Sequence, residues 1–170
     1  YDFSFHSLKV LELKTKGNTA FQNKDYDIAI DFFSQAIELD PTNHVLYSNR
    51  SAAYAQLSKF DEALKDADKC IELNKDFVKG YSRRGAALYG LKRFQEAKDA
   101  YNAGLTIDPS NSACQEGLAA VENELTPSVP VSQLNSRFAT AMEVCRNNPK
   151  LSKYLEDPEF VKKVEKLQSD

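Results

Sequence analysis

Five polar residues have the types and the spacing that carboxylate binding requires. Lys14 and Asn18 are four residues apart, as are Lys79 and Arg83, and on a helix this spacing places both members of a pair on one face. Asn49 and Arg83 occupy equivalent positions of an internal repeat. Two amines, one guanidinium and two carboxamides supply hydrogen-bond donors and positive charge, and the guanidinium can donate two parallel bonds to one carboxylate. These side chains can act together only if the elements that carry them lie side by side.

An internal repeat with a 34-residue period supplies those elements. Its register is kept by four sets of positions: the small residues Gly17, Ser51 and Gly85, the aromatic residues Tyr26, Phe60 and Phe94, the alanines Ala29, Ala63 and Ala97, and the unit ends Pro41, Lys75 and Pro109. Apolar residues at helical spacing fill both halves of a unit, which predicts two antiparallel helices per repeat. We expect the small residues where two helices approach closely. Proline at a unit end stops the second helix, and Lys75 predicts a weaker stop in the middle unit.

The sequence therefore predicts an all-α fold in which stacked helix pairs form a superhelix. In chain order we predict an N-terminal flank (1–9), a repeat domain (10–125) with repeats at 10–43, 44–77 and 78–111 and a capping helix at 111–124, a linker (126–132), and a short α-helical region (133–170). In the last region, Asp157 is predicted to cap a helix that starts at Pro158. Fewer than 40 residues rarely fold alone, so we expect this region to pack on the repeat domain, to pair with another chain, or to be the first part of a domain that is cut short.

Composition excludes several classes of function. The chain has 170 residues with a formal net charge of −3, which argues against a general nucleic-acid binder. Its apolar runs are too short for a membrane span, and its first residues lack the layout of a signal peptide. Cys70, Cys114 and Cys145 are widely separated and form no CxxC pair, so we expect neither disulfides nor a zinc site, and a cytoplasmic location.

Catalytic motifs are also missing from the sequence. The two histidines, His6 and His44, are not in a HExxH pattern, and no GxSxG or phosphate-loop motif occurs. The spacing of Gly80, Gly85 and Gly90 is explained by helix packing. We therefore predict a protein that is not an enzyme and that uses no cofactor, metal ion or small-molecule substrate.

The 34-residue pattern resembles the tetratricopeptide repeat (TPR). The five polar residues also match the two-carboxylate clamp of chaperone-binding TPR domains: Lys-xxx-Asn in the first repeat, Asn in the second, and Lys-xxx-Arg in the third. By this resemblance the ligand is the C-terminal Glu-Glu-Val-Asp tail of a heat-shock chaperone. Lys14, Asn18 and Asn49 would bind its terminal carboxylate, and Lys79 and Arg83 the last Asp side chain or nearby backbone.

The same resemblance assigns further residues to the peptide groove. Ala52, Ala86 and Tyr89 would contact the Val of the tail and the residues before it. Phe21 and Tyr54 are assigned to the core rather than to the groove.

Two segments, 43–55 and 79–83, resemble the first TPR domain of the Hsp-organising co-chaperone (Hop/stress-inducible protein) family, and residues 133–170 resemble part of its aspartate–proline-rich (DP) region. This implies a co-chaperone adaptor that supports chaperone assembly and client transfer. The 70-kDa chaperone class is the favoured partner, with the 90-kDa class as the alternative. Two other functions stay open: a targeting module of a chaperone-associated isomerase, phosphatase or ubiquitin ligase, and a TPR scaffold with another ligand.

Overall fold

The computed structural model describes residues 2–126 and seven isolated positions beyond them: Met142, Glu143, Arg146, Asn147, Ser152, Asp157 and Glu159. Most of the predicted linker and of the region 133–170 therefore lies outside the described residues. One contact there agrees with the sequence: Oδ1 of Asp157 accepts a hydrogen bond from the backbone N–H of Glu159 over 2.9 Å. This is the bond that a helix-capping Asp makes.

Residues 2–126 contain seven helices and no strand. In chain order they are α1 (Asp2–Gln22), α2 (Tyr26–Leu39), α3 (His44–Gln56), α4 (Phe60–Leu73), α5 (Val78–Gly90), α6 (Phe94–Ile107) and α7 (Ser112–Leu125). Each helix packs on the next, and the odd-numbered helices also contact one another in sequence. The predicted all-α fold of three helix pairs and a capping helix is confirmed.

Small residues lie where the two helices of a repeat meet, as predicted. A Cβ added to Gly17 would be 2.5 Å from the ring of Phe33, and one added to Gly85 would be 2.5 Å from the ring of Tyr101. In the second repeat, the buried Ser51 hydroxyl donates to the carbonyl of Ala63 over 2.7 Å. A larger side chain at Gly17 or Gly85 would therefore clash with the aromatic ring of the paired helix unless that ring shifted.

The second helix of each repeat ends at an Asp or Asn whose side chain bonds to the turn that follows. Oδ1 of Asp40 accepts from the backbone N–H of Thr42, Oδ1 of Asp108 from Ser110, and Oδ1 of Asn74 from Asp76, over 3.0 to 3.3 Å. The middle repeat was predicted to have a weaker stop because it lacks proline. Its helix ends with the same contact as the others, because the Asx turn needs only the Asp or Asn side chain.

The turn within each repeat contains a non-glycine residue with positive φ. These residues are Lys24, Ser58 and Lys92, with φ of 66°, 58° and 60°. They occupy the same position in the three repeats, so the left-handed turn belongs to the repeat itself. This conformation sharply reverses the chain between the paired helices.

The N-terminal flank, for which the sequence predicted no structure, is helical from Asp2 onwards. As a result α1 has 21 residues, whereas α3 and α5 have 13 each. Phe5, Leu8 and Leu11 on this extension are more than half exposed. Among the described residues, no helix is long and apolar enough to cross a membrane.

Candidate peptide-binding site

The first helix of each repeat carries the residues predicted to bind carboxylates. Lys14 and Asn18 lie on α1, Asn49 on α3, and Lys79 and Arg83 on α5. Since α3 contacts both α1 and α5, these three helices lie side by side. Residues at one repeat position consequently face the same side of the superhelix.

Three of the five predicted residues meet in a small cavity, which we call the clamp cavity. Its volume is about 70 Å³, and it is lined by Asn18, Phe21, Phe33, Asn49, Ala52 and Arg83. Nδ2 of Asn49 donates a hydrogen bond to Oδ1 of Asn18 over 3.1 Å. Because Asn18 is the acceptor in this bond, its own amide N–H groups are left to donate to a ligand.

Arg83 is the most strongly desolvated of the five residues. Burial lowers the pKa of its guanidinium, and the neighbouring Cys70 opposes this shift. Its Nε is buried and has no hydrogen-bond partner among the described residues. A buried N–H group that lacks a hydrogen-bond partner is costly, and an anion bound beside Arg83 could accept from it. The site therefore favours a negatively charged ligand.

The two predicted lysines lie outside the clamp cavity. Lys14 is half-buried and lines a second cavity of about 520 Å³ together with Val10, Thr42 and Asn43, among others. Lys79 is exposed one helical turn before Arg83. Lysine carries its charge on a long flexible stem, so both amines can turn towards a ligand that occupies the clamp cavity.

The predicted groove residues divide between two cavities. Ala52 lines the clamp cavity, whereas Ala86 and Tyr89 line a third one, which we call the distal cavity. Its volume is about 370 Å³, and Phe60, Gly90, Lys92, Phe94 and Glu124 complete its lining. The Tyr89 hydroxyl donates to Oε1 of Glu124 over 3.2 Å.

Sequence reasoning missed seven residues that line the clamp and distal cavities: Phe21, Phe33, Phe60, Gly90, Lys92, Phe94 and Glu124. Phe21 packs on the core cluster around Phe33, as predicted, but it also lines the clamp cavity. The sequence could have indicated this, because Phe21 lies three residues after Asn18 and therefore on the same face of α1. Phe33 lines the cavity from beneath Gly17, and Glu124 belongs to a helix that was assigned only a capping role. Tyr54 packs on the same core cluster, in agreement with its assignment.

The clamp side chains provide hydrogen-bond donors and positive charge. Within the described residues, no cluster of three or more His, Cys, Asp or Glu could hold a metal ion. The arrangement suits reversible binding of an acidic ligand along the first helices of the repeats.

Comparison with known proteins identifies the family. Tetratricopeptide-repeat models match residues 10–43 and 78–111, and a second such model matches 32–65. The heat shock protein sti1 homolog of Schizosaccharomyces pombe is 45% identical in an alignment of 168 residues that covers 94% of this chain. The heat shock protein STI1 of Saccharomyces cerevisiae is 45% identical in an alignment of 166 residues that covers 93% of this chain. The chain belongs to the Sti1/Hop family of TPR proteins. It spans 28% of the length of each of these two relatives.

Solved structures agree with the TPR fold. The first TPR domain of Spaghetti (RPAP3), solved with the HSP90 peptide SRMEEVD, is 40% identical with a TM-score of 0.67, and the match covers 70% of this chain and 94% of that one. The TPR2B domain of yeast Sti1 in complex with an Hsp70 peptide is 27% identical with a TM-score of 0.65, and the match covers 69% and 98%.

Proposed function

We propose that this chain is a co-chaperone adaptor whose groove binds the free C-terminus of a heat-shock chaperone ending in Glu-Glu-Val-Asp. The observation that carries the proposal is the clamp cavity, where the desolvated Arg83 and the bonded amides of Asn18 and Asn49 leave donors for an anionic group. Relatives of similar fold, solved with peptides that end in Glu-Glu-Val-Asp, support it.

The proposed ligand has two carboxylates at its last residue, and the five clamp residues divide between them. Lys14, Asn18 and Asn49 bind the main-chain carboxylate, while Lys79 and Arg83 bind the Asp side chain or the backbone beside it. Charge-assisted hydrogen bonds of this kind are roughly twice as strong as neutral ones. We expect an affinity on the order of micromolar, or about −8 kcal/mol.

The choice between chaperone classes depends on the groove beyond the clamp, because both tails end in the same four residues. Resemblance to the first TPR domain of the family favours the 70-kDa class. The peptides solved with relatives differ upstream, SGPTIEEVD for HSP70 and SRMEEVD for HSP90. The distal cavity is lined in part by residues of α5, the helix that carries Arg83, and we expect the differing peptide residues to contact it.

The first experiment is a calorimetric titration with a free-acid Glu-Glu-Val-Asp peptide and with its C-terminal amide. The amide lacks one carboxylate and should bind much more weakly. Binding of the free acid should also weaken with added salt, because the contacts with the exposed lysines are screened. Equal binding of the two peptides would refute the clamp.

Two neighbouring arginines provide a matched pair of variants. Arg83 lines the clamp cavity, whereas Arg84 forms an ion pair with Asp68, 2.8 Å away. Arg83→Met should weaken binding about 10- to 150-fold, the effect of losing a charge-assisted hydrogen bond. Arg84→Met should leave the affinity unchanged. If both variants bind alike, Arg83 has no part in the site.

A further inference from the structure

Two buried polar atoms near the clamp have no hydrogen-bond partner. In the part of the chain that the structure describes, Oγ of Ser48 and Nε of Arg83 are the buried side-chain atoms in this condition. Ser48 is only 1% exposed, so water does not replace the missing partner of its hydroxyl. A buried donor or acceptor without a partner is costly, and folded proteins contain few of them. Because a hydroxyl can accept the bond that Nε–H has to donate, one contact would satisfy both atoms.

Helix geometry directs these two atoms towards the same place. The bonded pair Asn18 and Asn49 shows that residues 31 positions apart lie side by side on neighbouring first helices. The same offset places Ser48 of α3 beside Lys79 of α5, one helical turn before Arg83. Long side chains on a helix point back towards its N-terminus, so the stem of Arg83 runs towards the level of Ser48.

Cys70 of α4 lies where Ser48 and Arg83 approach each other. A Cβ added to Gly80 would be 3.2 Å from Sγ of Cys70, which places this thiol against the turn of α5 that precedes Arg83. Burial raises the pKa of Cys70 to about 11, and the charge of Arg83 and a backbone group of Ser48 act against this shift. Ser48 and Arg83 are therefore close to the same buried thiol, one from α3 and the other from α5.

The guanidinium of Arg83 presents different nitrogen atoms to the fold and to the clamp cavity. Its Nε is buried without a partner, whereas its Nη groups are not, and the residue lines the clamp cavity. An anion in the cavity therefore meets the Nη groups first, and it can accept two parallel bonds from them. Since the guanidinium is planar and rigid, a bond at Nε fixes the direction in which the Nη groups point.

We propose that Ser48 is a positioning residue of the clamp, whose hydroxyl accepts a hydrogen bond from Nε of Arg83 when a ligand carboxylate binds the Nη groups. This inference rests on the proposed function, because that carboxylate holds the guanidinium in the required orientation. Neither atom is bonded in the structure, so the contact closes when the Ser48 side chain turns to another staggered position. The bond is made only in the complex, and it therefore adds to the affinity.

The first test is calorimetry of Ser48→Ala with a free-acid Glu-Glu-Val-Asp peptide. The variant should bind about two- to tenfold more weakly than the unaltered protein, which is the effect of losing one hydrogen bond. Ser82→Ala is the matched control, because Ser82 is also buried and occupies the same repeat position on α5. By the same offset Ser82 lies beside α7, so its replacement should leave the affinity unchanged.

Two further measurements separate positioning of Arg83 from a general structural effect. Arg83→Met has no Nε–H, so the addition of Ser48→Ala to this variant should cause no further loss of affinity. The second measurement follows the Nε–H signal of Arg83 by NMR of isotope-labelled protein, and the signal is identified by its absence in Arg83→Met. This proton should exchange with water more slowly in the peptide complex than in the free protein, and Ser48→Ala should remove the protection.

Three results would overturn the inference: unchanged affinity in Ser48→Ala, a loss that is equal in Ser82→Ala or persists in the Arg83→Met background, or protection of Nε–H that survives Ser48→Ala. The last result would show that the ligand itself accepts from Nε. The C-terminal amide of the peptide separates these results from failure of the clamp. If the acid binds more tightly than the amide but Ser48→Ala has no effect, the clamp stands and the role of Ser48 is wrong. If acid and amide bind equally, both proposals fall.

Discussion

Asp66→Ala should destabilise the fold far more than Asp68→Ala, the same replacement two residues further along α4. Asp66 accepts two hydrogen bonds from the guanidinium of Arg50, from Nε over 2.7 Å and from Nη2 over 2.8 Å. The side chains of Arg50 and Asp66 are 19% and 8% exposed. Arg50 also donates to Ser34 over 2.9 Å, so one guanidinium joins α2, α3 and α4. Its pKa is raised, chiefly by the hydrogen bonds to Asp66.

Asp66→Ala leaves that guanidinium buried without its counter-ion. Removal of one partner from a buried pair costs about 3 to 5 kcal/mol. Here the remaining contacts of Arg50 offset part of the loss, since its guanidinium lies 5.8 Å from the ring centroids of Tyr47 and Tyr54. We therefore expect a loss of about 3 kcal/mol in the free energy of unfolding, or about 10 °C in Tm.

Asp68→Ala is the control, because it removes an Asp from the same helix. Arg84 occupies the repeat position of Arg50, but its pair with Asp68 is solvent-accessible, with side chains 37% and 53% exposed. Exposed pairs contribute about 0.2 to 1 kcal/mol. Urea unfolding followed by circular dichroism measures both variants. Equal losses in the two variants would refute the argument from burial.

Two other substitutions test the packing. Gly17→Ala should lower the free energy of unfolding by about 1 to 2 kcal/mol, although Ala has the higher helix propensity. The reason is that its Cβ would lie 2.5 Å from the fully buried Phe33 ring. A higher free energy of unfolding, measured with urea, would show that the ring can move aside. Burial raises the pKa of Cys70 from 9.0 to about 11, so the stability it contributes is complete below pH 9.0 and is lost as pH rises through about 11. Between pH 9.0 and about 11, the free energy of unfolding should fall less steeply with pH in Cys70→Ala than in the unaltered protein. An equally steep fall in both proteins would contradict the raised pKa of Cys70.

The repeat register predicted the architecture because helix packing repeats with the sequence. The contact between the two helices of a repeat requires a small residue, and this requirement recurs every 34 residues, at Gly17, Ser51 and Gly85. Because it recurs regularly, it can be recognised in the sequence. The Asx turns were missed because proline was taken as the stop. Asp40, Asn74 and Asp108 keep the same register and form the same turn with or without a proline after them.

The candidate site was only partly predictable, since register gives the face of a residue but not its neighbours. Asn18, Asn49 and Arg83 share a cavity, as their positions suggested. That Asn49 donates to Asn18, and that Nε of Arg83 is buried without a partner, depend on distances between helices. The same limit applies to Arg50 and Arg84, which share a repeat position but differ in the exposure of their ion pairs.

The position of Glu124 on the groove could have been predicted by extending the repeat register through the cap. The first helices begin at His44 and Val78, and α7 begins at Ser112, one further repeat length along the chain. By position α7 is therefore the first helix of a fourth unit, and Glu124 corresponds to Gly90. A helix that only covers apolar surface is not expected to place a charged residue at the groove, so the capping assignment did not predict the position of Glu124. First helices line the groove in this superhelix, and the same register places the Glu124 carboxylate at the distal cavity, where it accepts the hydrogen bond from Tyr89.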